Sequence, residues 1–435
     1  MIRILTLVLL LTLASQAQVK ILCIGDSLTD EYAGPSEIFS APDFPSTNPR
    51  ARNWPELLTI LRPEEAFLGT YSTWPDLRIE GYACNFGIVG TTTRNWFELI
   101  ITDSIFEIPD DDFPLNQLYF PTRENLLQRL PGSDVVVIML GGNDLKNDYD
   151  QIFNDTEPAN FFSTIRSNIN AIHTFIRSYA PNKPIVVATV PDVGATPQIY
   201  ETYNTPSKKL TTRAKIAAMN DAIVTQFEGK TNTAVARVDK LTDMVFDLQP
   251  FHLNGTIFTV EGAPENPPDH VFLKDDFHPG TAAQALIANE IIFAINRLLP
   301  EDITPFTNRE ILSDILGLNP DQPYLDWVSP YSLTAADQDD DADGDGFANI
   351  LEMLMGTAPD VAESLPSGQM EPGGTLTWPF DPVAARYIDW QAEESSDLLL
   401  WNTVPLERLE ADSDSIQVTA PELPRWFVRL AADPK

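Results

Sequence analysis

The sequence predicts an α/β protein, a doubly wound parallel sheet covered by helices on both faces, followed by a smaller β-rich segment. Three observations carry this. From 18 to about 300, short β-branched runs that are apolar on both faces alternate with amphipathic helical runs, the pattern of βαβ units with right-handed crossovers. Several of the apolar runs end in a Gly-containing turn, so polar groups collect at the carboxyl ends of the strands, where open α/β sheets bind ligands. After Pro300 the composition changes, and from 375 onward the pattern turns toward β.

The elements follow in order. Residues 1–17 read as a signal peptide: Arg3 is basic, Ile4 to Leu13 are mostly apolar, and Ser15 and Ala17 fit a small-residue cleavage site. That run is too short to span a bilayer, and no later stretch is long and apolar enough, so an exported chain without membrane insertion is expected. Val19 to Ile24 is the first strand. Tyr82 to Gly87 is a weaker one, Asp134 to Leu140 the strongest, and Ile185 to Val190 and Ala234 to Val238 complete a set of five. Phe161 to Tyr179 places Phe162, Ile165, Ile169, Ile172, Phe175 and Ile176 on one helical face. Thr211 to Glu228 and Thr281 to Leu299 read as similar helices. Two insertions, 31–81 and 248–274, lie near strand ends, where loops shape substrate sites. Residues 301–336 are a connector, 337–360 a calcium-loop segment and 361–435 a β-rich appendage.

The chain has 435 residues, 43% of them apolar, enough to bury a sizeable core. Its formal charge of −35 sets it against nucleic acid and anionic lipid as partners. Cys23 and Cys84 sit in strand-like runs, where thiols are expected. With no CxxC and no Cys/His cluster, zinc is not indicated.

The chemistry concentrates in four blocks. Gly25-Asp26-Ser27 follows the first strand, so Ser27 can face the cleft at an exposed turn, although such a triplet also caps helices. Asn85 to Thr92 is Gly-rich, and the Gly90 N–H is the favoured donor from it. Gly141-Gly142-Asn143 follows the best strand and brings a side-chain amide to the same end of the sheet. Asp275 and His278 stand three apart before Pro279, a spacing that lets one turn place the carboxylate on Nδ1 and leave Nε2 for Ser27. Asp276 is the rival carboxylate, at a poorer spacing. Of the other histidines, His173 falls within a helix, where a packed or surface role is expected, and His252 and His270 fall in the second insertion, where either could touch substrate.

These blocks, in this order, resemble the GDSL esterases, also called SGNH hydrolases, over about residues 18–300. The resemblance implies a flavodoxin-like three-layer α/β/α fold and ester hydrolysis without a catalytic cofactor. It implies Ser27 as nucleophile, His278 as base and Asp275 as its orienting carboxylate. The Ser27 and Gly90 N–H groups and the Asn143 side chain would be the oxyanion donors, with Gly87 the alternative to Gly90.

A second motif lies outside this region. Asp341, Asp343, Asp345, Phe347, Asn349 and Glu352 occupy the ligand positions of an EF-hand loop, with Gly346 at its turn. Three carboxylates so close repel one another without a cation. The segment resembles the calcium loops of dockerin and thrombospondin type-3 modules, which implies a structural calcium. The whole predicts a secreted or periplasmic serine esterase removing short acyl groups, acetyl above all, from a glycan. Trp54, Trp74 and Trp96 are candidates to stack on sugar rings or to pack in the core. The alternatives are a lipase-type enzyme of the same family and a catalytically silent binding protein.

Overall fold

The computed structural model describes residues 18–32, 51–73, 80–102, 122–246, 250–261, 268–331, 338–362, 369–371, 374–421 and 425–435. The leader and Trp74 lie outside these residues. The sheet is built from β1 (Val19–Gly25), β2 (Ala66–Phe67), β3 (Asn85–Gly87), β4 (Val135–Met139), β5 (Ile185–Ala188) and β6 (Thr233–Ala236). All are parallel. On one side of β1 lie β4, β5 and β6 in succession, and β2 and β3 lie on the other.

The expected five strand positions are present, but the outer one is divided. β2 pairs with Val19–Lys20 and β3 with Cys23–Gly25. The run expected as one strand from Tyr82 to Gly87 breaks because its start pairs elsewhere: Glu80–Tyr82 pairs antiparallel with Tyr71–Thr73. Cys84 falls in the turn between the two, half-buried, while Cys23 is buried in β1, both as thiols.

Alternation along the strands explains the two covered faces. Ile21 and Cys23 of β1, with Val135 and Val137 of β4, enter one core, capped by α1 (Trp54–Leu61) and the late helix Thr281–Asn296. Leu22, Ile24, Val136 and Ile138 enter the opposite core, under Phe161–Tyr179 and Pro206–Phe227. The latter helix starts five residues before the predicted Thr211, because its first turn is polar and exposed and gives no apolar period. Trp54 and Trp96 are fully buried in these cores, so the sugar-platform alternative falls away for both.

The β-rich segment has its own core, centred on Tyr324, Ile350, Leu354, Tyr387 and Ile416. It contains one four-stranded and one three-stranded antiparallel sheet, the latter pairing Ile388–Ser395 with Phe427–Pro434 over its full length.

Candidate active site

The order of the strands reverses beside β1, and ligands bind at such switch points. Ser27 follows β1 and Asn143 follows β4, its neighbour across that point, so the two line one cleft. The turn after β1 is fixed locally: the Asp26 carbonyl accepts the N–H groups of Thr29 and Asp30, and its carboxylate accepts that of Leu28 at 3.0 Å. Ser27 Oγ lies 2.9 Å from His278 Nε2, bridging 251 residues of sequence. At the opposite edge of the ring, His278 Nδ1 bonds Asp275 Oδ2.

Asp275 reaches that geometry through a tight turn. Its Oδ1 accepts the N–H groups of Phe277 at 3.1 Å and His278 at 3.0 Å. Asp276 takes the left-handed φ of 60° that closes the turn, which fits a spacer and not the rival carboxylate. Burial pushes the Asp275 carboxyl up, but the His278 ring and the two N–H donors outweigh it and hold it at about 2. The carboxylate is therefore ionised at neutral pH and fixes Nδ1–H, leaving Nε2 to accept the serine proton.

Asn143 is 8% exposed, and its Nδ2 donates to the Thr91 carbonyl at 3.0 Å. A primary amide has a second N–H hydrogen for another acceptor. Gly141 starts this helix (Gly142–Asn147) with φ of 121°, and a Cβ there would meet Val190 at 2.7 Å, so only glycine brings the helix this close. Gly90 lies in the turn after β3 with φ of 75°. Gly87, the alternative donor, is engaged otherwise: its N–H donates to Asn85 Oδ1 at 3.1 Å, and a Cβ on it would strike the Asp30 backbone. Its glycine serves close packing of β3 on the Ser27 turn.

Three buried carboxyls surround the site. Burial raises Asp26 to about 7, against the Leu28 N–H and with help from the Asp144 charge. Burial likewise raises Asp144 and Asp192 to about 6, opposed by Thr93 and by the Gly194 N–H respectively. No sequence pattern signals these shifts, because each depends on packing from other segments.

The cleft itself is apolar. Its empty space is about 760 Å³, open mouth included, and it is lined next to Ser27 by Leu28, Val193, Val245, Phe251, Phe272 and Leu286 among others. Phe251 and Phe272 come from the second insertion, as a substrate-shaping loop requires. His252 and His270 of that insertion do not line it: His252 sits against the Gly255 N–H and His270 against Asp269. His173 is packed, its Nε2 3.1 Å from Thr233 Oγ1, and burial with nearby Lys230 and Arg177 lowers it to about 4.

In the acidic loop, carboxylate oxygens of Asp341, Asp343 and Asp345 lie within 4.8 Å of one another. Asp341 accepts the N–H groups of Gly344, Asp345 and Gly346, which winds the loop around them. Glu352 lies in the first turn of the following helix, Asn349–Met355, and is buried.

A parallel sheet with a serine, a histidine and a carboxylate in hydrogen-bonded series at its carboxyl edge has the arrangement of a serine hydrolase. The comparisons place it further: residues 21–291 match the family model of the GDSL-like lipase/acylhydrolases, more than half the chain, and the protein belongs to that family. Among solved structures it is similar to a carbohydrate esterase family 3 protein from Talaromyces cellulolyticus (15% identity, 65% of this chain, 98% of that one, TM-score 0.33). It is also similar to Axe2, an acetylxylan esterase from Geobacillus stearothermophilus (15%, 67%, 99%, TM-score 0.35). A third is the lipase Lip_vut3 from goat rumen metagenome (14%, 64%, 97%, TM-score 0.37). A search of the curated proteins found no match. Among the described residues no helix is long and apolar enough to cross a membrane.

Proposed function

We propose that this chain is an exported serine ester hydrolase acting through an acyl-enzyme on Ser27, and that the acyl group of its substrate is apolar. The observation that carries the catalytic reading is the series Ser27 Oγ, His278 and Asp275, with 2.9 Å between the hydroxyl and Nε2. Ser27 attacks the ester carbonyl while Nε2 takes its proton. The oxyanion so formed accepts hydrogen bonds from the Ser27 and Gly90 N–H groups and from Asn143 Nδ2. Collapse of the intermediate breaks the ester C–O bond, and His278 returns the proton to the departing alcohol. Water then enters by the same route in reverse, releasing the acid and restoring Ser27.

The apolar cleft beside Ser27 favours an acyl chain of several carbons, the lipase-type alternative. The competing reading, a short acyl group on a glycan, predicts a rate maximum at the acetate ester. The export reading rests on residues 1–17. The loop from Asp341 to Glu352 is read as holding a structural calcium, with Asp341, Asp343, Asp345, Asn349 and Glu352 as side-chain ligands and Phe347 giving a carbonyl; the clustered carboxylates and the buried Asp343 Oδ2, which has no hydrogen-bond partner, suit a divalent cation.

Labelling with a fluorophosphonate tests the central claim. The parent should label and should hydrolyse p-nitrophenyl esters, and Ser27→Ala should do neither. A Ser27→Ala protein that still labels or turns over would refute the acyl-enzyme.

A further inference from the structure

Asn143 and Gly90 reach the site from different parts of the fold. Asn143 is the second residue of the helix after β4, and Gly90 sits in the turn ahead of the short helix Thr93–Phe97. For both to serve one oxyanion, their spacing must hold to about 0.5 Å.

Asp144, next to Asn143, makes a contact that bears on this. It is 9% exposed, and both its oxygens are spent on one residue, Thr93. Oδ2 accepts the Thr93 backbone N–H at 2.8 Å, and Oδ1 accepts the Thr93 hydroxyl at 2.6 Å. The same hydroxyl accepts from Asn168 Nδ2 at 3.2 Å, which ties it to the long helix Phe161–Tyr179. Thr93 is fully buried and Asn168 nearly so. Beside this, Asn143 donates to the Thr91 carbonyl. Two adjacent residues thus hold the segment 91–93 at two points, one through an amide and one through a carboxylate. A simple cap for Thr93–Phe97 does not account for it, because Thr92 and Asn95 already form a capping box there.

We propose that Asp144 is a positioning residue for the oxyanion site, holding the Gly90–Thr93 segment in register with Asn143 through its paired bonds to Thr93. The inference rests on Asn143 acting as an oxyanion donor. Asp144 touches no reacting atom in this reading. Asparagine at 144 keeps one acceptor oxygen and turns the other position into a donor, so one of the two bonds to Thr93 is lost.

The test measures kcat and KM on a soluble p-nitrophenyl ester for Asn143→Ala, Asp144→Asn, their double variant, Thr93→Val and Thr93→Ser. Asn143→Ala should lose about 10²–10³ in kcat, the usual effect of one oxyanion donor. Asp144→Asn should lose about 10- to 100-fold in kcat with KM little changed, as misplacement of a catalytic group does. The double variant should lose less than the product of the two single losses, because the register that Asp144 holds is one that Asn143 shares. Thr93→Val should be slow, and Thr93→Ser, which keeps both bonds, should recover. Near-normal kcat in Asn143→Ala overturns the oxyanion reading and this inference with it. A slow Asn143→Ala beside an Asp144→Asn that keeps kcat, or losses that multiply in the double variant, overturns the positioning role alone. If Asp144→Asn does not fold, the threonine pair decides: a Val variant with parental kcat overturns the role, and a slow Val beside a recovered Ser upholds it.

Discussion

The apolar cleft makes a quantitative claim about substrate. Each methylene that leaves water for an apolar site gains about 0.8 kcal/mol, close to a fourfold step in kcat/KM. Lengthening the acyl chain from acetate to hexanoate adds four methylenes, so full burial gives about 3 kcal/mol, or roughly two-hundredfold. The cleft has the lining to receive them, with Val193, Val245, Phe251, Phe272 and Leu286 beyond Ser27. Ala283 also faces this space from the helix Thr281–Asn296. Ala283→Phe places a ring where the chain would lie, and the hexanoate-to-acetate ratio should collapse toward one. The assay is kcat/KM on a p-nitrophenyl series from C2 to C8, with a thermal melt of the variant, since overpacking costs about 1–3 kcal/mol. A parent profile that is flat or falls from acetate onward would refute the reasoning. So would an Ala283→Phe enzyme that slows every ester by the same factor.

Asp275→Asn removes the acceptor that holds Nδ1–H, and kcat should fall by about 10⁴, with fluorophosphonate labelling slowed in parallel; labelling at the parental rate would contradict the assigned tautomer. Asp26 is raised to about 7 by burial, so between about pH 4 and 7 the folded chain keeps a proton that the unfolded chain has released, and this group's contribution to stability falls as pH rises. Asp26→Asn stays neutral and keeps the acceptor for Leu28, so its melting temperature relative to the parent should climb over that range and level off above it; a pH-independent difference would count against the raised carboxyl. For the calcium loop, about 10 mM calcium against a dissociation constant of about 1 mM stabilises by about 1.4 kcal/mol. The melting of the β-rich segment should shift up with calcium, not with magnesium, and Asp341→Ala should erase the shift.

Much of the sheet was legible because its strands announce themselves by composition. Val135–Met139 is β-branched and apolar on both faces, and Phe161–Tyr179 carries an unbroken helical stripe. Ala66–Phe67 was not legible, since a two-residue strand has no period to detect, and only its register with Val19 and Lys20 marks it as part of the sheet. The Ser27 and Asn143 blocks could be grouped because each follows a strand, and Asp275/His278 because a carboxylate three residues before a histidine suits one turn. The cleft could not, because its lining comes from separate segments, each of which reads as ordinary core. Trp96 shows the same difficulty in reverse. In sequence it is an aromatic near a glycine-rich block, but in the fold its Nε1 donates to the Gly25 carbonyl at 3.0 Å and braces the strand that carries Ser27. The Asp144–Thr93 pair spans 51 residues and has no pattern of its own.

The separation of 251 positions between Ser27 and His278 has a consequence for the life of the chain. Ser27 is made near the start of the sheet-forming region and His278 near its end, just ahead of the helix Thr281–Asn296. Until residue 278 has been made the chain cannot form the Ser27–His278 pair, so under the proposed mechanism hydrolytic competence waits on most of the sheet-forming region. Capture of an active-site reagent becomes a clock for folding, read at a single atom.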